Sequence, residues 1–310
     1  MQNIQDTIID NVIKKLWQNY KKKVPQASII ENAIKQKQDI WVEDHIAFRT
    51  LPGKNCGLNI LKNIFELLGY KKSNSYKFQD KRLSAISMDP PHQENMPSTK
   101  VFPKVFISVL EPEGFSSSFV KCINNYTADV TLSPLDKFKS EFNLLKKYPQ
   151  RVDDFSESLA LFLNSGAIWR KPIYKDYETL RKESEYAAWT LVFGNTPNHF
   201  TVSVHLMNNF KSLKEFNNFI ESELKIKLNN AGGSIIKGTP EVKLEQSATL
   251  AEEILVPFQD GFQKIPYAFV EFAYRFTLEG KKHDGIWDNY YQGFVTSNAD
   301  KIFESTNFRK

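Results

Sequence analysis

The stretch IWVEDHIAFRTL, residues 40–51, decides the fold because its apolar side chains are interleaved with polar ones. Val42, Ile46 and Phe48 follow this loose alternation, which predicts a β-strand. One helical pattern and three strand patterns follow in order, at residues 59–68, 70–78, 83–88 and 101–110. The stretch therefore opens a β-α-β-β-β unit, which we place at residues 40–111.

The same order of elements returns in the second half of the chain. Residues 199–207, HFTVSVHLM, alternate in polarity and predict a strand, and residues 213–224 have helical spacing. Three strand patterns follow, at residues 231–239, 250–258 and 268–276. We therefore predict a second β-α-β-β-β unit at residues 198–276. Two such units can pair their sheets into a half-open barrel with a central site, which gives an α+β fold class with added helices.

The remaining segments surround these two units. Residues 1–39 have apolar positions at helical spacing, and residues 112–197 are predicted to form a mainly helical insertion. We expect residues 277–310 to close one end of the site, since this segment contains the aromatic residues Trp287, Tyr290, Tyr291 and Phe294. The five segments together are expected to form one compact catalytic domain.

The composition argues against several classes of protein. Hydrophobic residues make up 41% and charged residues 25% of the chain, a balance that disfavours disorder. The net charge is +5, but the longest basic run, residues 21–23, is too short for a nucleic-acid-binding stripe. Only two cysteines, Cys56 and Cys122, are present, which favours a reducing compartment. With no secretory pattern and no apolar run of membrane-spanning length, we expect a cytoplasmic protein that binds neither nucleic acid nor membrane. The pattern specifies no oligomeric state.

Two histidines occupy matching positions in the two units. His45 lies in the first strand of the first unit, and His199 opens the first strand of the second. A metal at a pseudo-twofold centre requires such matching positions. His205 shares the predicted strand face of His199 but lies roughly 20 Å further along, so the two cannot bind one metal. Arg49, on the same face as His45, suits a carboxylate clamp, although a solvent-facing charged strand is an alternative.

Glu271 is the candidate carboxylate. It lies in the apolar sequence YAFVEFAY, residues 267–274, where an unpaired carboxylate is costly. An ion pair with Arg275, four residues later on the same face, is the alternative interpretation. With His45 and His199, Glu271 gives the two-histidine, one-carboxylate set that leaves open positions on iron(II). The same set can hold zinc with a water, so the ligand types leave the metal open.

Six stretches of this sequence resemble the 2-oxoadipate dioxygenase/decarboxylase family. They are DHIAFRT (44–50), SEYAAW (184–189), NHFT (198–201), GTPEV (238–242), LEQSAT (244–249) and NADKIFEST (298–306). The resemblance runs from about residue 40 to the C-terminus and is specific because the stretches occur together. It implies a vicinal oxygen chelate-like fold, which agrees with the repeat, and this chain resembles a shorter branch of the family.

The resemblance also implies an activity and its site residues. Members of the family are iron(II) enzymes that convert 2-oxoadipate to 2-hydroxyglutarate in lysine breakdown, with O2 uptake and CO2 release. His45, His199 and Glu271 would bind Fe(2+), and Arg49 would hold a carboxylate of the 2-oxo acid. Polar residues in matching segments are implied as pocket lining and substrate contacts: Ser247, Thr296 and Ser297.

Two other functions fit the same residues. A divalent-metal lyase, isomerase or hydrolase on this fold would act without dioxygen. A non-catalytic small-molecule binder would bind its ligand without turnover.

Overall fold

The computed structural model describes residues 4–298. Its strands are β1 (Glu43–Thr50), β2 (Lys71–Phe78), β3 (Leu83–Asp89), β4 (Lys104–Leu110), β5 (Pro197–Ser203), β6 (Lys237–Thr239), β7 (Leu244–Ala248), β8 (Glu253–Phe258), β9 (Gly261–Pro266) and β10 (Phe269–Arg275). Its α-helices are α1 (Ile4–Lys23), α2 (Pro25–Gln36), α3 (Leu58–Leu67), α4 (Ser117–Thr127), α5 (Pro134–Leu145), α6 (Val152–Asn164), α7 (Tyr174–Glu183), α8 (Glu185–Phe193) and α9 (Leu213–Ser222).

Eight strands form one curled sheet in the order β2-β3-β4-β1-β5-β10-β7-β6. Strand β1 pairs in parallel with β4, and β5 pairs in parallel with β10. The two halves meet through the antiparallel pair β1 and β5. Each half of the sheet therefore has the same arrangement of strands, counted outward from the central pair. Strands β1, β4, β3 and β2 of one half correspond to β5, β10, β7 and β6 of the other. This pseudo-twofold arrangement confirms the predicted half-open barrel.

The registers of the parallel pairs β1–β4 and β5–β10 show which residues of the two halves correspond. His45 lies opposite Lys104 in β4, and His199 lies opposite Phe269 in β10. Two residues further along each pair, Phe106 of β4 therefore corresponds to Glu271 of β10.

The second unit differs in detail from the prediction. Residues 250–258 were expected to lie in the unit's sheet, but β8 pairs only with β9, in a separate two-stranded hairpin between β7 and β10. The third strand of this half of the sheet, next to β10, is instead β7, whose sequence LEQSA is too polar to show a strand pattern. Strand β5 also ends at Ser203, and a 3-10 turn follows at Val204–Leu206. His205 is therefore not on the strand of His199, contrary to the prediction.

The sheet has one apolar face, which helices cover. Phe200 of β5 contacts Trp17 of α1, with ring centroids 5.0 Å apart, and Phe272 of β10 contacts Phe216 of α9 at 4.8 Å. Alternation along each strand then directs His45, His199 and Glu271 to the opposite face. The apolar face supplies the hydrophobic core, and the other face is free to carry polar groups.

Between the two units, residues 112–197 contain the five helices α4–α8. The division of the chain into five segments stays a prediction, and residues 299–310 of the last segment lie outside the described part. Among residues 4–298, none of the helices has the length and apolar character needed to cross a bilayer.

Candidate metal centre and substrate pocket

The structure brings His45, His199 and Glu271 together on three adjacent central strands. One ligand atom from each lies within 4.8 Å of the other two. His199 Nε2 is 3.2 Å from Glu271 Oε2, and His45 Nε2 is 3.7 Å from Glu271 Oε1. All three side chains are buried, and Glu271 is only 1% exposed.

Each histidine is oriented by the residue that precedes it. His45 Nδ1 is 2.8 Å from Asp44 Oδ1, and His199 Nδ1 is 3.0 Å from Asn198 Oδ1. Both oxygens are acceptors, so each Nδ1 carries the proton and each Nε2 presents its lone pair towards Glu271. The hydroxyl of Thr201, 3.0 Å from His45 Nε2, is placed to donate to that lone pair. Both imidazoles therefore have the tautomer that metal binding requires.

Asp44 is held by a buried arginine. Arg275 donates from Nε to Asp44 Oδ2 at 2.6 Å and from Nη2 to Asp44 Oδ1 at 2.8 Å. Its Nη1 donates to the carbonyls of Tyr291 and Gly293. Burial alone would raise the pKa of Asp44, but the charge and hydrogen bonds of Arg275 bring it well below the usual range. Because Arg275 is committed to Asp44, the alternative of a Glu271–Arg275 ion pair is wrong.

Glu271 is positioned by two amides that sequence reasoning did not select. Gln246 Nε2 donates to Glu271 Oε1 at 2.5 Å, and Asn298 Nδ2 lies 3.2 Å from both Gln246 Oε1 and the Leu244 carbonyl. Gly238, at φ +87°, permits this approach, since a Cβ there would lie 2.4 Å from Asn298 Nδ2. Both amides belong to stretches that resemble the family, and this resemblance was the one feature of the sequence that could have identified them as site residues.

The electrostatics of the cluster fit a divalent cation. Burial, with electrostatic contributions from His45 and Arg49, lowers the pKa of His199 well below its usual range, so this imidazole is neutral. Burial raises the pKa of Glu271, while His45 opposes the increase. A cation among the three groups would compensate the buried carboxylate and accept the two Nε2 lone pairs.

Arg49 lies on the same strand face as His45 and is 1% exposed. Its guanidinium is centred 5.2 Å from the ring of Tyr186 and 5.0 Å from that of Trp189, both on α8. Its Nη1 is 3.5 Å from Glu185 Oε2. The alternative of a solvent-facing strand is therefore wrong, because α8 encloses the guanidinium.

Three residues predicted to line the pocket lie away from the buried cluster of His45, His199 and Glu271. Ser247 is on the opposite face of β7, where its hydroxyl donates to Asn217 Oδ1 of α9 at 2.8 Å. Gln246, one residue earlier, faces the site instead, because successive side chains of a strand point to opposite faces. Thr296 and Ser297 are exposed, so they do not line the buried cluster. The pocket-lining interpretation is therefore corrected for Ser247, whereas substrate contacts of Thr296 and Ser297 stay a prediction.

His205 lies outside the cluster. It is buried against the ring of Tyr290, with centroids 4.8 Å apart, and burial lowers its pKa to about 3. Among the described residues, the one group of three potential metal ligands that lie together is His45, His199 and Glu271.

An aromatic wall closes the side of the cluster next to β4. The Phe294 ring meets His45 edge-on at 4.8 Å and contacts Phe106 at 5.0 Å. Phe106 occupies the position that corresponds to Glu271, so the first unit offers an apolar ring where the second offers a carboxylate.

Comparisons with known proteins agree with this geometry. A sequence model of the 2-oxoadipate dioxygenase/decarboxylase family matches residues 8–290. A chloroplastic 2-oxoadipate dioxygenase/decarboxylase of Arabidopsis thaliana is 38% identical over 276 residues, which cover 85% of this chain and 67% of that protein. The crystal structure of the hydroxyglutarate synthase from Oryza sativa, in complex with 2-oxoadipate, is similar with a TM-score of 0.82 and 30% identity, over 99% of this chain and 94% of that one.

A fourth comparison concerns the fold alone. A protein of Ralstonia eutropha assigned to the glyoxalase superfamily is 18% identical, with a TM-score of 0.74 over 94% of this chain and 86% of that one. This similarity confirms the vicinal oxygen chelate-like fold. The family model over residues 8–290 and the 38% identical Arabidopsis relative show that this chain belongs to the 2-oxoadipate dioxygenase/decarboxylase family.

Proposed function

We propose that this protein is a non-haem iron(II) dioxygenase/decarboxylase that converts 2-oxoadipate, or a similar 2-oxo dicarboxylic acid, to 2-hydroxyglutarate. The observation that carries the proposal is the buried cluster of His45, His199 and Glu271 within 4.8 Å, in a chain of this family. The reaction balances, since one 2-oxoadipate and one O2 give one 2-hydroxyglutarate and one CO2. By the resemblance, it would belong to lysine breakdown.

We propose His45, His199 and Glu271 as the iron ligands. Two imidazoles and one carboxylate leave coordination positions open for a chelating 2-oxo acid and for dioxygen, which iron(II) can activate when bound. Asp44 and Asn198 keep the two imidazoles in the correct tautomer, and Gln246 fixes the carboxylate. The protein thus supplies a preorganised ligand set, which reduces the reorganisation needed on metal binding.

Arg49 is proposed to bind the second carboxylate of the substrate. A guanidinium can donate two parallel hydrogen bonds to a carboxylate, and stacking between Tyr186 and Trp189 limits its motion. A buried carboxylate without such a partner is strongly disfavoured, so the pocket should select a dicarboxylic acid. Phe106 and Phe294 exclude water from the side of the cluster next to β4.

The test is oxygen consumption by purified protein loaded with iron(II) under anaerobic conditions. We expect O2 uptake on addition of 2-oxoadipate, far slower uptake with 2-oxohexanoate, and none for protein loaded with zinc. Turnover of the acid without O2 would indicate a lyase, isomerase or hydrolase. Tight binding without turnover would indicate a binding protein.

A cytoplasmic location stays part of this proposal, on the strength of the low cysteine content. The Arabidopsis relative is named as chloroplastic.

A further inference from the structure

Asn198 has a buried donor that the protein does not satisfy. The side chain is 1% exposed, and its Oδ1 accepts the hydrogen bond from His199 Nδ1. Its Nδ2 is buried and has no hydrogen-bond partner among residues 4–298. A buried polar group without a partner is costly, and in native proteins such groups call for an explanation.

Chemistry fixes which way this amide points. If His199 is to bind a metal through Nε2, its Nδ1 must carry the proton, and the atom facing Nδ1 must be an acceptor. The amide of Asn198 therefore places Oδ1 against His199 and directs the two hydrogens of Nδ2 elsewhere. A rotated amide would set donor against donor.

The pseudo-twofold axis indicates what surrounds Nδ2. Asp44 is the counterpart of Asn198, and its second oxygen accepts from Arg275 Nε at 2.6 Å and lies 3.5 Å from the hydroxyl of Ser203. The counterpart of Ser203, four residues after its histidine, is Arg49. The register of β4 and β10 makes Leu110 the counterpart of Arg275.

The pseudo-twofold correspondence thus predicts a cation and an apolar side chain near Nδ2. Arg49 provides only donors, and Leu110 provides no hydrogen-bonding group. In the antiparallel pair of β1 and β5, Phe48 lies opposite Pro197, so Arg49 and Asn198 are each one residue from this pair. Asn198 Nδ2 itself has no acceptor among residues 4–298, and the proposed substrate offers only acceptor oxygens.

We propose that Asn198 Nδ2 donates to the distal carboxylate of the substrate, the same carboxylate that Arg49 binds. This assignment rests on the proposed function and adds a specificity-determining residue to it. Asn198 then has two roles, because its Oδ1 orients a metal ligand while its Nδ2 recognises the dicarboxylic acid.

The variant Asn198→Asp separates these roles. An aspartate keeps an acceptor for His199 Nδ1, as Asp44 does for His45, but it removes the donor and places a negative charge beside the substrate carboxylate. We expect the ratio of kcat/KM for 2-oxoadipate to that for 2-oxohexanoate to fall on the order of tenfold to a hundredfold. The ratio does not depend on the fraction of metal-loaded protein, so it remains informative if N198D binds metal less well.

The matched control is Asn217→Asp. Asn217 is also buried with an unsatisfied Nδ2, but it lies on the opposite face of the sheet, where it accepts from Ser247. This variant should leave the ratio unchanged. Calorimetric titration of zinc-loaded protein with both acids gives a second readout that needs no turnover, and N198D should weaken only the binding of 2-oxoadipate.

Two results would overturn the assignment. One is an unchanged ratio in N198D, which would restrict Asn198 to orienting His199, and the other is an equal fall in N217D. A wild-type protein that neither binds nor turns over 2-oxoadipate would instead refute the proposed function. A wild type that prefers the dicarboxylate, with an N198D variant that keeps this preference, would refute only the role of Asn198.

Discussion

Replacing Asp44 by asparagine should weaken both the fold and the metal site. In the structure, Asp44 accepts two hydrogen bonds from Arg275 at 2.6 and 2.8 Å and one from His45 Nδ1 at 2.8 Å, with a longer one from the Ser203 hydroxyl at 3.5 Å. An asparagine has one acceptor oxygen, so its NH2 group must face a donor of either Arg275 or His45. The variant therefore loses a buried counterion and sets donor against donor.

The magnitude follows from the burial of this pair. The side chains of Asp44 and Arg275 are 3% and 2% exposed, so D44N leaves a buried cation without its counterion. Removing one partner of a buried ion pair costs about 3–5 kcal/mol. Arg275 keeps the carbonyls of Tyr291 and Gly293, so we expect the lower end, about 3 kcal/mol. Metal affinity should fall on the order of tenfold to a hundredfold, because His45 loses its orienting acceptor.

Urea unfolding of the metal-free protein measures the first effect, and competition with a chelator of known affinity measures the second. Asp129→Asn is the control, since Asp129 also pairs with an arginine, Arg170, but at side-chain exposures of 34% and 44%. D129N should cost no more than about 1 kcal/mol. If D44N unfolds within about 1 kcal/mol of the wild type and keeps its metal affinity, the reasoning about the Arg275–Asp44–His45 chain is wrong.

Three further predictions concern the site and its surroundings. Alanine at His45, His199 or Glu271 should abolish metal binding, measured by elemental analysis, while circular dichroism shows a folded protein; full occupancy in any variant would remove that residue from the site. Arg49→Lys should keep the metal but lose about 2–4 kcal/mol of transition-state stabilisation, because an ammonium cannot make the two-pronged contact, and an unchanged kcat/KM would make Arg49 structural. His205→Gln should keep the metal and flatten the acid dependence of stability. Since the folded pKa of about 3 lies below the unfolded value, the contribution of His205 is complete above about pH 6.5 and is lost as the pH falls towards 3, by at most about 1.4 kcal/mol per pH unit; equal slopes for wild type and variant in urea titrations would contradict this.

The sequence predicted the parts of the fold that local patterns encode. The first unit was found because its strands β1 and β4 are rich in β-branched and aromatic residues and its helix α3 has a clear apolar face. Strand β7 was missed because Glu245, Gln246 and Ser247 give it a polar sequence, although four of its five residues are buried in the sheet. Its register is set by pairing with β10, which no local pattern records.

The site was predictable where the repeat marks it. His45 and His199 stand out because they match between the two units, and Glu271 because its strand is otherwise apolar. The residues that orient these three ligands could not be predicted from local patterns, because they contact each other across long stretches of the chain. Asp44 and Arg275 are 231 residues apart in the chain, and Gln246 and Asn298 are separated by 52. Ser247 was predicted in the correct segment, but its neighbour Gln246 faces the site instead. A shift of one position along a strand moves a side chain to the other face of the sheet.

The measurement that tests the central claim most directly is the fate of isotopically labelled dioxygen. Iron-loaded protein should be supplied with 2-oxoadipate under labelled O2, and the 2-hydroxyglutarate should be examined by mass spectrometry. If the CO2 comes from the substrate, the atom balance requires oxygen from O2 in the product, so the account predicts labelled 2-hydroxyglutarate in an amount equal to the O2 consumed. Unlabelled product, or consumption of 2-oxoadipate at an undiminished rate without O2, would contradict it.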